Sequence, residues 1–384
     1  MSAAARQSAS AEVAAPGHPD KIADQVADAV VDDVLAQDPR GRCGCEVLVN
    51  AHMVVVSGEF KTKAEINVPS IVKRTIRELG YTDPALGFSD DCAVLVSVRE
   101  QSPEISAVIE RKSGMAASDQ GVMYGYASDE TPEMLPLPLQ LSRRLVMRID
   151  ELRRSGTLEY LRPDGKAQVS VVRDDVTGRP RAEVIVLAAQ HDPGIGIDAI
   201  SSDLRSHVID AVVPEDLIDE RTSIVINKLG RFVYGGPAID TGVTGRKLVA
   251  DTYGGLGQAG GGALCGKDPS KLDRTGAYYG RYVAKNLVAA GLVRRCQVQI
   301  AFAFGQVDPV ATSIESFGTS AVPEDELRDI VATHFSFRPD DMIEQLDLLR
   351  PIYRQTARFG HFGYADFPWE RTDVADALKG RSAA

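Results

Sequence analysis

"EVLVNAHMVVVSGEF", residues Glu46 to Phe60, decides the fold. Two apolar runs flank the polar break Asn50-Ala51-His52, which predicts two strands joined as a hairpin. Ahead of it, Ile22, Ala23, Val26, Ala29, Val30 and Val34 recur at helical spacing and predict an amphipathic helix over Lys21 to Leu35. Behind it, a helix is expected from about Ser70 to Leu79, then a buried strand from Cys92 to Val98.

The same order recurs twice. A helix from about Leu139 to Arg154 precedes "KAQVSVVRDD" (166–175) and "AEVIVLAAQH" (182–191), and a helix follows near Ile197 to Val213. A third helix, about Asp273 to Ala290, precedes "CQVQIAFAFG" (296–305), with another near Glu324 to His334. The fold class is therefore α+β: three similar domains, each a mixed β-sheet with helices covering one face. The limits expected are 9–104, 122–235 and 236–375, and both chain ends read as loose tails. Residues 105–121 between the first two units hold no steady period and many small residues. Such a stretch suits a mobile lid or a plain surface excursion.

Composition bounds the function. With 44% hydrophobic and 25% charged residues over 384 positions, the chain is an ordinary globular protein of more than one domain. Its net charge of -11 argues against nucleic acid as the main partner, so any polyanion must meet a local basic site. Five cysteines match no zinc spacing and fit free thiols in a reducing, cytoplasmic setting. No apolar run reaches the ~18 residues of a membrane span.

Four clusters combine glycine, aspartate and a cation. "GHPDK" (17–21) stands before the first helix, where free amides and the helix dipole attract anions. There His18 suits a phosphate oxygen, Asp20 a Mg²⁺ ion and Lys21 added charge; helix capping by Pro19 and Asp20 explains the same residues. "RPDGK" (162–166) and "GGPAIDTGVTGRKLVADTYGG" (235–255) repeat the theme. "GGGALCGKDPSKLDR" (260–274) imitates a P-loop through Gly261, Gly266 and Lys267. The imitation fails at Asp268, where a P-loop needs a Mg²⁺-binding hydroxyl, and its lead-in is too rich in glycine to be a strand. What remains is flexible backbone with Lys267, Lys271 and Arg274 among carboxylates, which suits either a polyphosphate with metal ions or a solvated loop. Together the clusters suggest one composite site for a highly charged phosphate ligand. No Ser-His-Asp or Cys-His pattern points to covalent catalysis.

"GHPDKIADQ", "SDQGVMYGYA" (118–127), "GGPAIDTGVTGRK", "DTYGG", "GGGALCGKDPSK" and "GHFG" (360–363) closely resemble the S-adenosylmethionine synthetases. The likeness runs in order from about Glu12 to Glu370. It implies three domains related by pseudo-threefold symmetry, working as a homodimer or a dimer of dimers with each site between two subunits. It also implies attack of the L-methionine sulfur on C5′ of ATP, loss of the whole triphosphate, and cleavage of that triphosphate to pyrophosphate and phosphate. Two Mg²⁺ ions per site and a K⁺ ion assist, and neither nucleic acid nor membrane is a partner.

By motif, the resemblance assigns the catalytic group to His18, Lys166, Arg246, Lys247, Lys267 and Lys271. ATP is expected at His18, Asp164, Lys166, Arg231, Phe232, Asp240, Arg246, Lys247, Ala263 and Lys267. Methionine is expected at Glu59, Gln101, Asp119, Asp240 and Lys271. Glu12, Asp20 and Asp273 match Mg²⁺ ligands, and Glu46 the K⁺-site glutamate. Departures from the family pattern are Ala15-Pro16 before Gly17, "NKLGRF" (227–232), Leu264-Cys265 beside the expected nucleotide, and Ser118 in the lid. They leave two alternatives, a paralogue adenosylating a methionine analogue and a catalytically weak regulatory subunit.

Overall fold

The computed structural model describes residues 8–102, 110–111, 114–174 and 177–379. Strand β1 (Ser8–Ala14) leads into helix α1 (Pro19–Gln37), which opens with Pro19 in its first turn and the His18 ring accepting from the Asp20 amide. The hairpin follows as β2 (Arg42–Val49) and β3 (Met53–Lys61). Its turn is set by Asn50, whose side-chain oxygen accepts from the amides of His52 and Met53, both at 3.1 Å. Helix α2 (Val68–Leu79) ends on left-handed Gly80 and carries the chain to β4 (Ala93–Glu100), parallel to β3. A parallel neighbour requires such a crossover.

After a small ribbon, β5 (Glu110–Arg111) and β6 (Gly114–Met115), comes β7 (Gly121–Ser128). The plan then repeats with α3 (Leu137–Arg154), the hairpin β8 (Leu161–Arg173) and β9 (Pro180–His191), α4 (Ile197–Leu204) and β10 (Ser223–Ile226), parallel to β9. Past β11 (Gly242–Val243), the third unit runs α5 (Leu272–Ala289), β12 (Arg295–Phe302), β13 (Ala311–Glu315) and α6 (Glu324–His334).

The sheets are ordered β11-β2-β3-β4, β1-β8-β9-β10 and β13-β12-β7. Each hairpin thus gains an antiparallel strand from another third of the chain: β11 joins β2, β1 joins β8 and β7 joins β12. Periodicity, which registers only local pattern, shows nothing of this exchange.

Each sheet covers its own core. Val47, Val54 and Val56 meet Ile22, Val26 and Val30 of α1 with Ile71 and Ile76 of α2. Val169 and Ile185 meet Leu145, Ile149 and Leu204. In the third core Val298 and Ile300 meet Tyr278, Tyr282, Leu327 and Trp369, and Val31, Val34 and Leu35 enter from α1. Helix α1 therefore serves two cores at once and is buried on nearly all sides.

One expectation changes. The strand at 92–98 forms as β4, but on an edge, with Leu95 53%, Val96 45% and Val98 39% exposed. Apolarity there marks a face that this chain alone leaves uncovered. "RPDGK" lies within β8.

Helix α5 lies against β7 so closely that a Cβ on Gly125 would stand 1.8 Å from the main-chain carbon of Gly280. Gly125→Ala is therefore expected to destabilise the fold by about 3 kcal/mol, because backbone rather than a movable side chain must give way. Chemical denaturation checks this, and an unchanged midpoint would mean that the helix slides freely on the sheet.

Candidate active site

The first loop of the site is anchored from below. Tyr81, just past α2, donates its hydroxyl to the Gly17 carbonyl at 2.6 Å, and a Cβ on Gly236 would meet that same hydroxyl. The two glycine-rich segments at 17–21 and 235–240 are thus locked around one buried tyrosine, for which the sequence held no signal. Asp164 strengthens the lock from β8, its carboxylate accepting from Gly165 at 2.8 Å and Gly236 at 2.7 Å. Burial pushes its carboxyl up to about 6.

His18 is buried, and its Nδ1 accepts from the Asp20 amide at 3.2 Å. That bond leaves the ring proton on Nε2. Burial, then the nearby Lys247 and Lys166 ammonium groups, lower its pKa to about 4, so the ring is a neutral donor at pH 7. Asp20 accepts from Val243 at 3.0 Å, pairs with Lys247 and lies 3.5 Å from Arg246. Burial works against its charge, but Lys247 and the Val243 amide outweigh it and hold the carboxyl below the usual range. Glu12 projects from β1 into a groove of about 340 Å³ that Gly245, Arg246 and Lys247 also line.

A second set gathers along β2. The loop 266–268 runs beside Cys43–Cys45 like an added edge strand: Cys45 donates to the Gly266 carbonyl at 2.7 Å and Asp268 to Cys43 at 3.1 Å. Lys267 pairs with Asp273 and Lys271 with Asp268, each at 2.5 Å. A Cβ on Gly121 would stand 3.4 Å from the Asp273 carboxylate, which brings the end of the Asp119 segment to the same place. Glu46, Glu59, Gln101 and Lys271 share a pocket of about 550 Å³ with Ser57, Ser97 and Arg99. Arg99 pairs with Glu59.

The structure thus sorts the expected residues into two groups. His18, Asp20, Glu12, Asp164, Lys166, Asp240, Arg246 and Lys247 surround the first two loops. Glu46, Glu59, Gln101, Lys271, Lys267, Asp273 and Asp119 lie along β2 and the 260–273 loop. The groups touch where a Cβ on Gly245 would meet that of Ala263 at 2.5 Å. Arg231 and Phe232 sit off the end of β9, where Phe232 donates its amide to His191 Nε2 at 2.9 Å and Arg231 bonds the Pro193 carbonyl. Of the expected lid 105–121, residues 105–109 and 112–113 lie outside the described residues.

Some readings need correction. Lys21 does not face a ligand; it is buried between Asp24 and Asp251. Arg274 is equally enclosed, on Asp28. Leu264 and Cys265 do not add bulk beside a nucleotide, because both side chains turn into the core. Cys265 Sγ lies 3.6 Å from His361 there. In "NKLGRF" the departing Lys228 and Leu229 are exposed, while Asn227 is buried with its amide clasping the main chain of Ala189.

Fold and site define a class: a three-sheet α+β protein with glycine-rich loops that place cations beside carboxylates. Its relatives are specific. The chain matches the S-adenosylmethionine synthetase N-terminal domain over residues 6–103, the central domain over 114–232 and the C-terminal domain over 234–371. It is 48% identical over 378 residues to the S-adenosylmethionine synthase of Desulforudis audaxviator (strain MP104C), covering 94% of this chain and 95% of that one. With the S-adenosylmethionine synthase of Sorangium cellulosum (strain So ce56) it shares 48% identity over 367 residues, 94% and 87% of the two chains. The chain belongs to the S-adenosylmethionine synthetase family.

Proposed function

We propose that this chain is a methionine adenosyltransferase, joining ATP and L-methionine into S-adenosylmethionine with release of pyrophosphate and phosphate. The observation that carries the reading is the gathering of His18, Asp20, Arg246 and Lys247, distant in sequence, into one cluster. The departures at Leu264 and Cys265 face inward and leave that cluster intact, and none of the departures removes one of its charges. Methionine, rather than an analogue, is favoured by the likeness to S-adenosylmethionine synthases over nearly the whole chain.

In the reaction a sulfur lone pair forms the bond to C5′ while the C5′–O bond breaks and its electron pair leaves on the triphosphate. The protein's task is to position two reactants and receive that charge. Neutral His18 offers its Nε2 proton to a triphosphate oxygen, and Lys166, Arg246, Lys247 and Lys267 supply fixed positive charge. Asp164 holds the 235–240 loop through main-chain amides. Arg231 and Phe232 bound the adenine, Asp240 stands between both substrates, and Ala263 lies against the nucleotide. Glu59, Gln101, Asp119 and Lys271 receive methionine.

Mg²⁺ takes one or two carboxylates and completes its shell with phosphate oxygens and water. The donor set fits that habit: Asp20, Asp273 and Glu12 stand at separate points, and among the described residues no group of three or more His, Cys, Asp or Glu forms a cage. Two Mg²⁺ ions per site would neutralise triphosphate charge there, and Glu46 would hold K⁺. The exposed face of β4 and the pocket on the same sheet support a dimer closing over that sheet, with sites completed between subunits. The plan common to the three sheets, a hairpin joined by a strand from elsewhere in the chain, supports a pseudo-threefold arrangement of three domains. No helix among the described residues is long and apolar enough to cross a membrane. Free, buried thiols support a cytoplasmic setting.

The direct test incubates the protein with ATP, methionine, Mg²⁺ and K⁺ and looks for the sulfonium product by mass spectrometry. Its absence, alongside adenosylation of another thioether, would overturn the choice of methionine. Asp20→Asn is expected to raise the Mg²⁺ concentration for half-maximal activity about tenfold or more, since an amide is a poorer ligand for a hard cation. A wild-type Mg²⁺ midpoint in that variant would reduce Asp20 to a structural group.

A further inference from the structure

Asp20, Asp24, Asp28 and Asp32 recur every fourth residue along α1, which places them on one stripe of the helix. The first three are fully buried. Each carboxylate accepts a main-chain amide from the C-terminal third of the chain. Asp20 takes Val243 at 3.0 Å, Asp24 takes Gly245 at 2.8 Å and Asp28 takes Gly266 at 2.7 Å. Asp32 takes Tyr353 and Arg354 at 2.8 and 2.9 Å.

Buried carboxylates are expensive, and an apolar residue of similar size usually serves stability as well or better. A row of them asks for another reason. The segments they hold also lie along β2, Val243 as part of β11 and the loop 266–268 beside Cys43–Cys45, so each is gripped from two sides. Gly245 and Gly266 both have left-handed φ, 83° and 80°. At Gly266 a Cβ would stand 2.0 Å from the Cys45 carbonyl oxygen, and at Gly245 2.5 Å from Ala263. Both amides are therefore fixed to a rigid helix at points where the backbone has no room to shift. Arg246 and Lys247 follow Gly245 directly, and Lys267 follows Gly266.

We infer that Asp24 and Asp28 are positioning residues for adenosyl transfer, setting through the Gly245 and Gly266 amides where Arg246, Lys247 and Lys267 present their charge. The inference rests on the function proposed above. Neither carboxylate touches substrate in this scheme; α1 acts as a template for two loops that come from far along the chain. The cations of the row complete it: Lys21 bridges Asp24 and Asp251, and Arg274 binds both Asp28 and the Lys267 carbonyl.

Asp24 is the better position to test, because Lys21 keeps Asp251 when the Asp24 charge is removed. Asn at 24 retains an oxygen for the Gly245 amide, whereas Ala does not. The full-length protein is compared as wild type, Asp24→Ala and Asp24→Asn. Two readouts serve: kcat and KM for S-adenosylmethionine formation, and affinity for inorganic tripolyphosphate with Mg²⁺. In Asp24→Ala we expect kcat to fall about 30-fold, tripolyphosphate binding to weaken about tenfold and KM for methionine to change less than about threefold. Asp24→Asn is expected to recover most of the loss. Equal loss in both variants, or wild-type behaviour in folded Asp24→Ala, would overturn the inference. If Asp24→Ala does not fold, Asp28→Asn decides, since it keeps the acceptor for Gly266 but loses the ion pair. It should melt earlier with kcat within about fivefold of wild type, and a larger kcat loss at a temperature where it is folded would overturn the inference. Wild-type protein that binds tripolyphosphate yet makes no S-adenosylmethionine would refute the proposed function, leaving the affinities to judge the aspartates.

Discussion

Lys267→Ala is expected to lower the rate of adenosyl transfer about 10²-fold or more with the fold intact. The loop that carries Lys267 is held by β2 on one side and by Asp28 on the other, so its ammonium has little freedom to wander. Its partner is Asp273, itself an expected Mg²⁺ ligand, at 2.5 Å. Under the proposed function, a triphosphate oxygen would replace the carboxylate at Lys267, and Asp273 would then be free to help hold Mg²⁺. A preorganised donor of this kind contributes about 3–4 kcal/mol to the transition state. Single-turnover formation of S-adenosylmethionine measures the effect, and a change below about threefold would remove Lys267 from the catalytic group.

The largest loss of stability is expected from Glu370→Ala. Arg281 and Glu370 are both wholly enclosed in the third core, paired at 2.9 Å, and Lys285 meets the same carboxylate oxygen at 2.9 Å. Arg281 also holds the carbonyls of Tyr126, Met134 and Glu133, and Glu370 accepts the Gly363 amide at 2.7 Å. Removing the carboxylate strands a buried guanidinium, a change worth about 3–5 kcal/mol. Burial opposes the charge on Glu370, yet Arg281 and Lys285 prevail and keep its carboxyl below the ordinary range. Its contribution is therefore complete above the unfolded carboxylate value and fades as the pH falls toward the depressed folded one. Denaturant unfolding at neutral pH tests the substitution; a shift under about 1 kcal/mol would mean that the cluster relaxes around the gap.

Local pattern made most of the elements legible. The helix at Glu324–His334 and the break at Asn50 to His52 stand where periodicity and turn chemistry place them. The cationic loops were legible through their motifs, because glycine beside charge carries chemistry at short range. What stayed hidden depends on partners far away in sequence. Asp24 and Asp28 read as the polar face of an amphipathic helix, since nothing near them says that a second core covers that face. Leu95 and Val96 read as buried for the converse reason: apolarity records a residue suited to a covered face, and this chain leaves that face exposed. Cys265 belongs by motif to a ligand loop, yet its side chain turns toward His361.

The exchange of edge strands bears on the order in which the chain becomes structured during synthesis. β1 leaves the ribosome first but pairs with β8, and β2 waits for β11, some two hundred residues later. Until Gly242 and Val243 emerge, the first hairpin keeps an open edge on which another nascent chain can add. Pairings at such separation are slow to form and expose unsatisfied edges while they wait. A fragment cut after the first or second third would lack a strand that its own sheet requires. The three units are therefore expected to reach the native state together, with the early edges exposed to mispairing until the last third arrives.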